Sequence, residues 1–438
     1  MKDAIAELRA RRIFDSRGRP TIEVDVILKG GALGRAAAPA GASRGSREAI
    51  DLRDGGAAFG GLDVKRALAA VRGPIAAALL GRSVEDQAAL DDLLVQLDGT
   101  PNKSRLGGNA IVATSMAVAK ARASSERRPL WLSLADDRPV ALPLPEIQIF
   151  GGGAHAGGLL DVQDFMVVPL GAETFSRALE MTAEIYRCAG DLLAETGRLA
   201  GVADEGGFWP VFETNEAALE ALAKTIERAG FRPFDDVGIS LDLAATQFRR
   251  DNGYRLARED RALTREEWMA LLLDWTRRYP IVSVEDPLAE DDDEGLAEFT
   301  AEAGARLQVV GDDFLVTSAD RIREAQKSGA CNAALIKPNQ VGTLTEARDA
   351  LSVAHEGGWG AIVSARSGET EDTTIVHLAV GWGAKQIKVG SFSRSERMAK
   401  WNEGLRIAEE IGAGGDVLPL RSAFPWGAVQ RLAKDDQR

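Results

Sequence analysis

Six segments in the C-terminal two-thirds of the chain are apolar and then end on a charged or polar side chain. They are GISLDLA, IVSVEDP, LQVVGDD, AALIKPN, AIVSARSGET and QIKVG, which run through Asp242, Glu285, Asp312, Lys337, Arg366 and Lys388. Successive segments lie 22 to 43 residues apart, which is enough for a strand, a helix and two loops. This repeat predicts a β/α barrel whose polar residues share the rim at the carboxyl ends of the strands.

The first third of the chain has a different pattern. Residues 20–36 alternate apolar and polar side chains around a Gly-Gly pair, which predicts a β-hairpin, and residues 39–47 (PAGASRGSR) predict a mobile loop. Helical spacing follows at 62–81, 84–97 and 108–126. Strands followed by helices indicate an α+β domain, and the proline-containing segment 138–146 separates it from the repeat. We therefore expect an α/β fold with an α+β capping domain at 1–137 and a catalytic barrel domain at 138–438.

Three further segments have the apolar spacing of helices. They lie at 173–197, 214–230 and 396–412, and the first two flank the loop GVADEGGFWP. An acidic run, EDDDE at 290–294, predicts a solvated turn.

Composition excludes several classes of protein. The net charge of −13 without a basic stripe argues against nucleic acid or an anionic membrane as a partner. The two cysteines, Cys188 and Cys331, form no motif and predict reduced thiols in the core of a cytoplasmic protein. Three histidines are too few for a His-rich zinc site. The N-terminal segment is charged throughout, unlike a signal peptide, and no apolar run approaches the roughly 20 residues of a membrane helix.

Three acidic residues, Asp242, Glu285 and Asp312, come from successive predicted barrel strands. Carboxylate oxygens are the hard ligands that suit Mg²⁺. A single acid at a strand end is more often part of a salt bridge or a helix cap. Three acids in register on the face where barrel enzymes keep their active sites favour a metal site.

The other side chains of this rim are basic. Lys337 and Lys388 would each be ordinary surface lysines if they stood alone. Near divalent cations a lysine loses its proton more easily and can serve as a base, while a second, charged lysine can hold a carboxylate. Arg366 and Ser367 offer a guanidinium and a hydroxyl, which suit a phosphate, although an arginine in a glycine-containing loop is also common. Metal-binding carboxylates, a possible lysine base and an anion-binding arginine and serine together fit a reaction that passes through an enolate.

Two glycine-containing loops carry further candidates. GVADEGGF places Asp204 and Glu205 before a Gly-Gly pair, and by itself this is an acidic turn. The loop 150–165 contains His155, Gln163 and Asp164, and glycine-rich loops of this kind have many uses.

Taken together, the segments resemble the enolase family along nearly the whole chain. The resemblance rests on IFDSRGRPTIEVDV, GASRGSREAIDLRDG, GGNAIVATSMAVAKA, VADEGGF, SVEDPLAEDD, GDDFLVT, LIKPNQVGTLTEA, SGETEDT and IKVGSFSRSERMAKWNEGLRI, in the family's order. It implies a barrel that begins with two antiparallel strands. It also implies a cytoplasmic hydro-lyase of glycolysis that acts as a dimer or as an assembly of dimers on a small phosphorylated substrate.

The resemblance also implies roles for individual residues. Two Mg²⁺ ions would bind each active site, the first through Asp242, Glu285 and Asp312, and the second, arriving with substrate, partly through Ser43. Lys337 matches the family's base and Glu205 its acid. His155, Gln163, Asp164, Arg366, Ser367 and Lys388 fall at substrate-contact positions. Arg44, in the loop that closes over the substrate, is a further candidate for substrate binding.

The expected reaction is the reversible dehydration of 2-phospho-D-glycerate to phosphoenolpyruvate. Removing a proton next to a carboxylate creates a dianionic enolate, which divalent cations stabilise. Hydroxide is a poor leaving group, so Glu205 should be protonated near neutral pH because of burial and of neighbouring carboxylates such as Asp164.

Four positions depart from the family pattern. Ala40 stands for a serine, Arg44 for a threonine, Asp164 for a glutamate and Ala365 for a histidine. Ala365 leaves room where the family has a histidine, and Arg44 adds a positive charge. Both changes would suit a larger or more anionic substrate. Two alternatives therefore stand beside phosphoglycerate dehydration. One is a paralogue such as a carboxyphosphonoenolpyruvate synthase, and the other is a weakly catalytic scaffold, which would not need the acid, base and metal positions.

Overall fold

The computed structural model of the protein describes residues 2–251, 253–412 and 414–427. Its N-terminal part begins with an antiparallel sheet of β1 (Ile5–Phe14), β2 (Pro20–Leu28) and β3 (Leu33–Ala37) in that order. The predicted hairpin is confirmed as β2 and β3, which turn at Gly30 and Gly31. Strand β1 is not predicted by the sequence pattern, because charged side chains interrupt its apolar alternation.

Helices cover this sheet. They are α1 (Lys65–Ala70), α2 (Ala76–Leu79), α3 (Gln87–Asp98), α4 (Gly108–Glu126) and α5 (Leu130–Ala135). The predicted helix at 62–81 is divided, since a π-helical segment containing Pro74 separates α1 from α2. Helix α4 packs closely on β2 and β3. A Cβ at Gly34 would lie 2.0 Å from the carbonyl oxygen of Ala117, so the close approach of sheet and helix requires glycine there.

The rest of the described chain forms a barrel and its surrounding helices. The first elements are β4 (Leu144–Gly151), β5 (Asp164–Val168), α6 (Phe175–Glu195), β6 (Leu199–Val202), β7 (Phe208–Pro210), α7 (Asn215–Arg228), β8 (Gly238–Asp242), β9 (Arg249–Arg250), β10 (Gly253–Leu256), β11 (Arg261–Thr264) and α8 (Arg265–Arg278). They are followed by β12 (Ile281–Glu285), α9 (Asp293–Ala303), β13 (Gln308–Gly311), α10 (Ala319–Ser328), β14 (Ala333–Ile336), α11 (Pro338–Val341), α12 (Leu344–Glu356), β15 (Gly360–Ser364), α13 (Thr374–Trp382), β16 (Gln386–Gly390) and α14 (Ser395–Ile411).

Within the described residues, eight strands close the barrel. Their order is β4, β5, β8, β12, β13, β14, β15 and β16, and β16 pairs back onto β4. Strand β5 runs antiparallel to both of its neighbours, and the other pairings of the barrel are parallel. The predicted fold is therefore confirmed, including the antiparallel pair at the start of the barrel.

Two features outside the barrel were not predicted. The hairpin β6–β7 is attached to the edge of β4 through the pairing of Phe150 with Phe208. A small sheet of β9, β10 and β11 lies between β8 and α8. The sequence pattern does not predict them, because their strands are too short to show a clear alternation of apolar and polar residues.

The predicted helices at 173–197, 214–230 and 396–412 correspond to α6, α7 and α14. The prediction of a solvated turn at 290–294 is wrong for its last residues, because α9 begins at Asp293. The carboxylate of Asp292 accepts a hydrogen bond from the backbone N–H of Gly295 at 3.0 Å and caps this helix. Acidic side chains are favourable at a helix N-terminus, which explains the acidic run.

The N-terminal part lies against the carboxyl-end rim of the barrel. Ala40 and Gly368 exchange backbone hydrogen bonds of 2.8 and 2.9 Å, and Lys120 forms an ion pair with Asp372 at 2.9 Å. The proposed boundary between residues 137 and 138 falls between α5 and β4 and stays a prediction. Cys188 and Cys331 are buried and unpaired with each other. In the described part of the chain, no helix is both long and apolar enough to span a membrane.

Candidate active site

Three acidic side chains meet at the carboxyl ends of neighbouring parallel strands. Asp242 is the last residue of β8, Glu285 is the last residue of β12, and Asp312 directly follows β13. Asp242 and Glu285 are register partners, so their side chains point to the same side of the sheet. All three residues are at most 3% exposed. Burial of three carboxylates in one place is costly unless cations neutralise them.

Two lysines supply positive charge to this cluster. Lys388, on β16, places Nζ 2.9 Å from Asp242 Oδ2 and 2.8 Å from Glu285 Oε2. Lys337, directly after β14, forms an ion pair with Asp312. Burial acts to lower the pKa of Lys388, but the carboxylates of Asp242 and Glu285 raise it well above its ordinary value. Lys388 is therefore a charged residue in this arrangement.

Lys337 is also protonated in this arrangement. Burial lowers its pKa, but the neighbouring Asp312 carboxylate more than offsets this, so the pKa lies above the ordinary value. A base must be neutral before it can take a proton. A role as a base would therefore require the pairing of Lys337 with Asp312 to be weakened.

The donor set of the cluster fits a divalent metal ion. Its ligand atoms are carboxylate oxygens, which hard cations prefer. Glu285 Oε1 is buried and has no hydrogen-bond partner among the described residues. Burial, and then the charge of Asp242, raise the pKa of Glu285 well above its ordinary value. An unpartnered oxygen and a carboxylate held unfavourably in its charged form are both expected where a cation belongs.

Glu205 lies on the loop between β6 and β7. It is 5% exposed, and its Oε1 lies 3.9 Å from Nε2 of His155. Burial and the nearby Asp164 raise the pKa of Glu205, although His155 acts in the opposite direction. The tight turn depends on Gly206, since a Cβ at that position would lie 2.4 Å from the carbonyl oxygen of Ser393. The loop thus holds a carboxyl group whose proton is retained more strongly than usual.

Asp164 and Gln163 have different surroundings. The carboxylate of Asp164 is fully buried, contacts His155 Nδ1 at 2.8 Å and accepts a hydrogen bond from Gln148. Gln163 donates from Nε2 to Asp242 Oδ2 at 3.0 Å and to Ser43 Oγ at 3.3 Å. Gln163 therefore links the acidic cluster to the loop at 39–47.

Arg366 is held by a residue that the sequence analysis missed. Its two terminal nitrogens each donate to the carboxylate of Glu48 at 3.0 Å, and Nη2 also donates to the carbonyl oxygen of Ser43 at 3.1 Å. Burial lowers the pKa of Arg366, while Glu48 raises it, and the net pKa is above the ordinary value. Gln340 donates from Nε2 to Glu48 at 3.2 Å and to Asp312 at 2.9 Å, and so connects this ion pair to the acidic cluster.

A small cavity joins these groups. It is lined by Gly41, Ser43, His155, Gln163, Glu205, Asp242, Lys337, Ser364, Ala365, Arg366, Ser367 and Lys388. Glu285 and Asp312 contact the lining lysines without lining the cavity themselves. Asp164 lies behind His155 and does not line the cavity.

Arg44 does not line this cavity. Its side chain is exposed and lines a second cavity, with Glu48 and Asp51 among its neighbours. Ala40 also lines this second cavity, whereas Ala365 lines the first. Of the positions that depart from the family pattern, Ala365 is therefore the one that directly borders the cavity beside Lys337.

Comparison with known proteins relates both parts of the chain to one family. A family model described as "Enolase, N-terminal domain" matches residues 5–134, and one described as "Enolase, C-terminal TIM barrel domain" matches residues 139–418. The chain is 46% identical over 429 residues to a protein named Enolase 1 from Desulfitobacterium hafniense (strain Y51), which covers 97% of this chain and 98% of that protein. The chain therefore belongs to the enolase family and is an enolase-type lyase.

Proposed function

We propose that this protein catalyses the reversible dehydration of 2-phospho-D-glycerate to phosphoenolpyruvate and depends on Mg²⁺. The observation that carries the proposal is that Lys337, Glu205 and the Asp242 side chain line one small cavity beside two further buried carboxylates. An acid, a base and a cation site are what this elimination requires.

Asp242, Glu285 and Asp312 would hold one Mg²⁺, and Ser43 would contribute to a second. Bound divalent cations stabilise the negative charge that develops on the substrate carboxylate as its neighbouring proton leaves. A ligand role for Asp312 would also withdraw its negative charge from Lys337 and lower the pKa of that lysine.

Lys337 then removes the proton from C2 of the substrate. Lys388 keeps its charge, since its pKa is well above the ordinary value, and it faces the substrate carboxylate. Glu205, whose pKa is raised first of all by burial, gives its proton to the departing hydroxide at C3. The two proton transfers therefore use two groups that line the same cavity.

The phosphoryl group is expected beside Arg366, Ser367 and His155. The imidazole of His155 has its pKa raised to about 9, because Asp164 and Glu205 outweigh the opposite effect of burial. His155 is therefore positively charged at neutral pH. Together with the guanidinium of Arg366, it favours a multiply charged anion over a neutral ligand.

The alternative of a larger anionic substrate has less support. Arg44, the cation that would favour it, is exposed and lines a different cavity. Ala365 does leave space beside the main cavity, but it adds no charge. The retained acid, base and carboxylate cluster is also difficult to explain in a scaffold without catalysis.

The enolase resemblance further supports a cytoplasmic enzyme of glycolysis that assembles from dimers, which sedimentation of the purified protein would test. The decisive experiment for the activity is incubation with 2-phosphoglycerate and Mg²⁺. Phosphoenolpyruvate is expected to form and to be seen by its ultraviolet absorbance. Absence of the product at high enzyme concentration would contradict the proposed substrate.

A further inference from the structure

The hydroxyl of Ser367 is fixed in one hydrogen-bonding direction. Its Oγ accepts a hydrogen bond from the backbone N–H of Ala42 at 2.6 Å and another from Arg17 Nη1 at 3.4 Å. A serine hydroxyl has two acceptor lone pairs and one hydrogen to donate. Both lone pairs are therefore used, and the hydrogen has no acceptor among the described residues. Because Ser367 lines the cavity, this hydrogen is available to a hydrogen-bond acceptor bound there.

The side chain of Arg17, which contacts Ser367, is buried and held by several hydrogen bonds. Only 6% of its side chain is exposed, and Asp15 Oδ2 accepts from its Nε at 3.3 Å and from its Nη2 at 3.2 Å. Nη2 also donates to the carbonyl oxygen of Ala40 at 2.7 Å. A Cβ at Gly368 would lie 2.2 Å from Nη2, so the backbone there leaves space for the guanidinium.

The backbone of Ser367 is fixed independently. Its carbonyl oxygen accepts a hydrogen bond at 2.6 Å from Nη2 of Arg397, a residue with no exposed surface. Arg397 Nη1 donates to the carbonyl oxygens of Arg366 and Val389, both at 2.8 Å. Arg397 thus fixes the backbone at Ser367. The hydrogen bonds from Arg17 and Ala42 then restrict rotation of the Ser367 hydroxyl.

We propose that Arg17, from the N-terminal part of the chain, is a positioning residue that makes Ser367 a hydrogen-bond donor to the phosphoryl group of the substrate. This inference rests on the proposed function. An ionised phosphoryl oxygen only accepts hydrogen bonds, so a hydroxyl that offered it a lone pair would be repelled. Ala42 belongs to the loop at 39–47, and its backbone N–H donates to Ser367 Oγ at 2.6 Å. Arg17 and Ala42 thus both orient the Ser367 hydroxyl so that it can donate its hydrogen.

The test is a double-mutant cycle of Arg17→Met and Ser367→Ala, with steady-state kinetics on 2-phosphoglycerate. Arg17→Met is expected to raise KM about tenfold and to change kcat much less, because it acts on binding of the phosphoryl group. In the Ser367→Ala background, Arg17→Met should add little, since the hydroxyl that it orients is gone. A full, additive loss, or an unchanged KM in the single variant, would overturn the proposal.

Arg19→Met is the matched control, because Arg19 is exposed on the same loop. It should leave KM unchanged. Circular dichroism checks folding of each variant. If Arg17→Met does not fold, Arg17→Lys replaces it, because lysine keeps the charge but cannot reach Asp15, Ala40 and Ser367 at once. The same cycle is repeated with inorganic phosphate as the probe, in calorimetric titrations. If the wild type does not turn over 2-phosphoglycerate, the proposed function fails, while the phosphate titrations still decide whether Arg17 acts through Ser367.

Discussion

His155 Nδ1 lies 2.8 Å from Asp164 Oδ1, which ties this short acidic side chain to the imidazole and not to Glu205. The other ring nitrogen, Nε2, lies 3.9 Å from Glu205 Oε1. His155 therefore stands between two carboxyl groups. Its protonated form is favoured by both, and its charge in turn sets how easily Glu205 ionises.

The first prediction concerns this histidine. Asp164→Asn removes a negative charge from His155 and should lower its pKa from about 9 towards the ordinary value of about 6.5. Because the pKa of His155 is raised in the folded protein, its contribution to stability is full below about pH 6.5. That contribution is lost as the pH rises through about 9. Nitrogen-15 NMR titration of the three histidines measures the change directly, and an unaltered titration of His155 in the variant would refute the assignment.

The proposed acid, Glu205, and the proposed base, Lys337, can be distinguished by isotope exchange. Lys337→Ala should abolish exchange of the substrate's C2 proton with solvent, because the base is missing. Glu205→Gln should preserve exchange but block loss of water, since only the proton donor is removed. Both are measured by proton NMR in deuterated buffer, and Lys385→Ala, a change of an exposed lysine, serves as the control. Equal loss of exchange in both variants would mean that the two roles are wrongly assigned.

The strand-end pattern located much of this site because it is a local signal. Asp242 and Glu285 each follow four apolar or small residues of a buried strand, and the barrel brings such strand ends together whatever the loops between them contain. The same reasoning fails for Glu48. It lies in a loop without periodic spacing, and its partner Arg366 is 318 residues further along the chain.

Residues that contribute amides or fix the backbone were also missed. Gln340 carries no charge and lies in a short helix, so only its contacts with Glu48 and Asp312 show its importance. Arg17 and Arg397 look like ordinary arginines in the sequence. Their roles depend on which carbonyl and hydroxyl groups the two parts of the chain bring to them, and a single sequence contains no signal of that kind.

The positions that depart from the family pattern should differ in their effect on substrate choice. Ala365→His fills space at the main cavity and should alter the turnover of 2-phosphoglycerate severalfold. Arg44→Thr changes an exposed side chain at the second cavity and should leave kcat nearly unchanged. Steady-state kinetics of the two single variants tests this. A larger effect from Arg44→Thr would place the arginine at the substrate after all.

Metal binding should be visible without any catalysis. A ligand that binds only the folded protein raises its midpoint of thermal unfolding, so Mg²⁺ should raise the midpoint and a chelator should reverse the shift. Glu285→Gln removes one charged oxygen of the buried cluster and should largely abolish the increase. Asp320→Asn, at an exposed residue on α10, is the control and should respond like the wild type. A Glu285→Gln variant with a normal Mg²⁺ response would remove this residue from the metal site.

The last prediction concerns the ion pair between the two parts of the chain. Lys120 Nζ lies 2.9 Å from both carboxylate oxygens of Asp372, and Oδ2 also accepts from the backbone N–H of Ala37 at 3.0 Å. Burial acts to raise the pKa of Asp372, but Lys120 and the hydrogen bonds from Thr374 lower it to about 2. The pKa is thus depressed on folding, so this carboxylate stabilises the protein above its unfolded pKa of about 4. The contribution is lost as the pH falls to about 2.

Lys120→Met leaves the charge of Asp372 without its partner and should cost about 3 kcal/mol at neutral pH. The difference from the wild type should shrink as the pH falls towards 3, because the remaining Asp372 becomes protonated in the variant. Urea unfolding followed by tryptophan fluorescence at several pH values measures this, with Lys65→Met, at a lysine whose side chain is 73% exposed, as the control. A loss of stability that does not change with pH would show that Lys120 acts by packing and not by its charge.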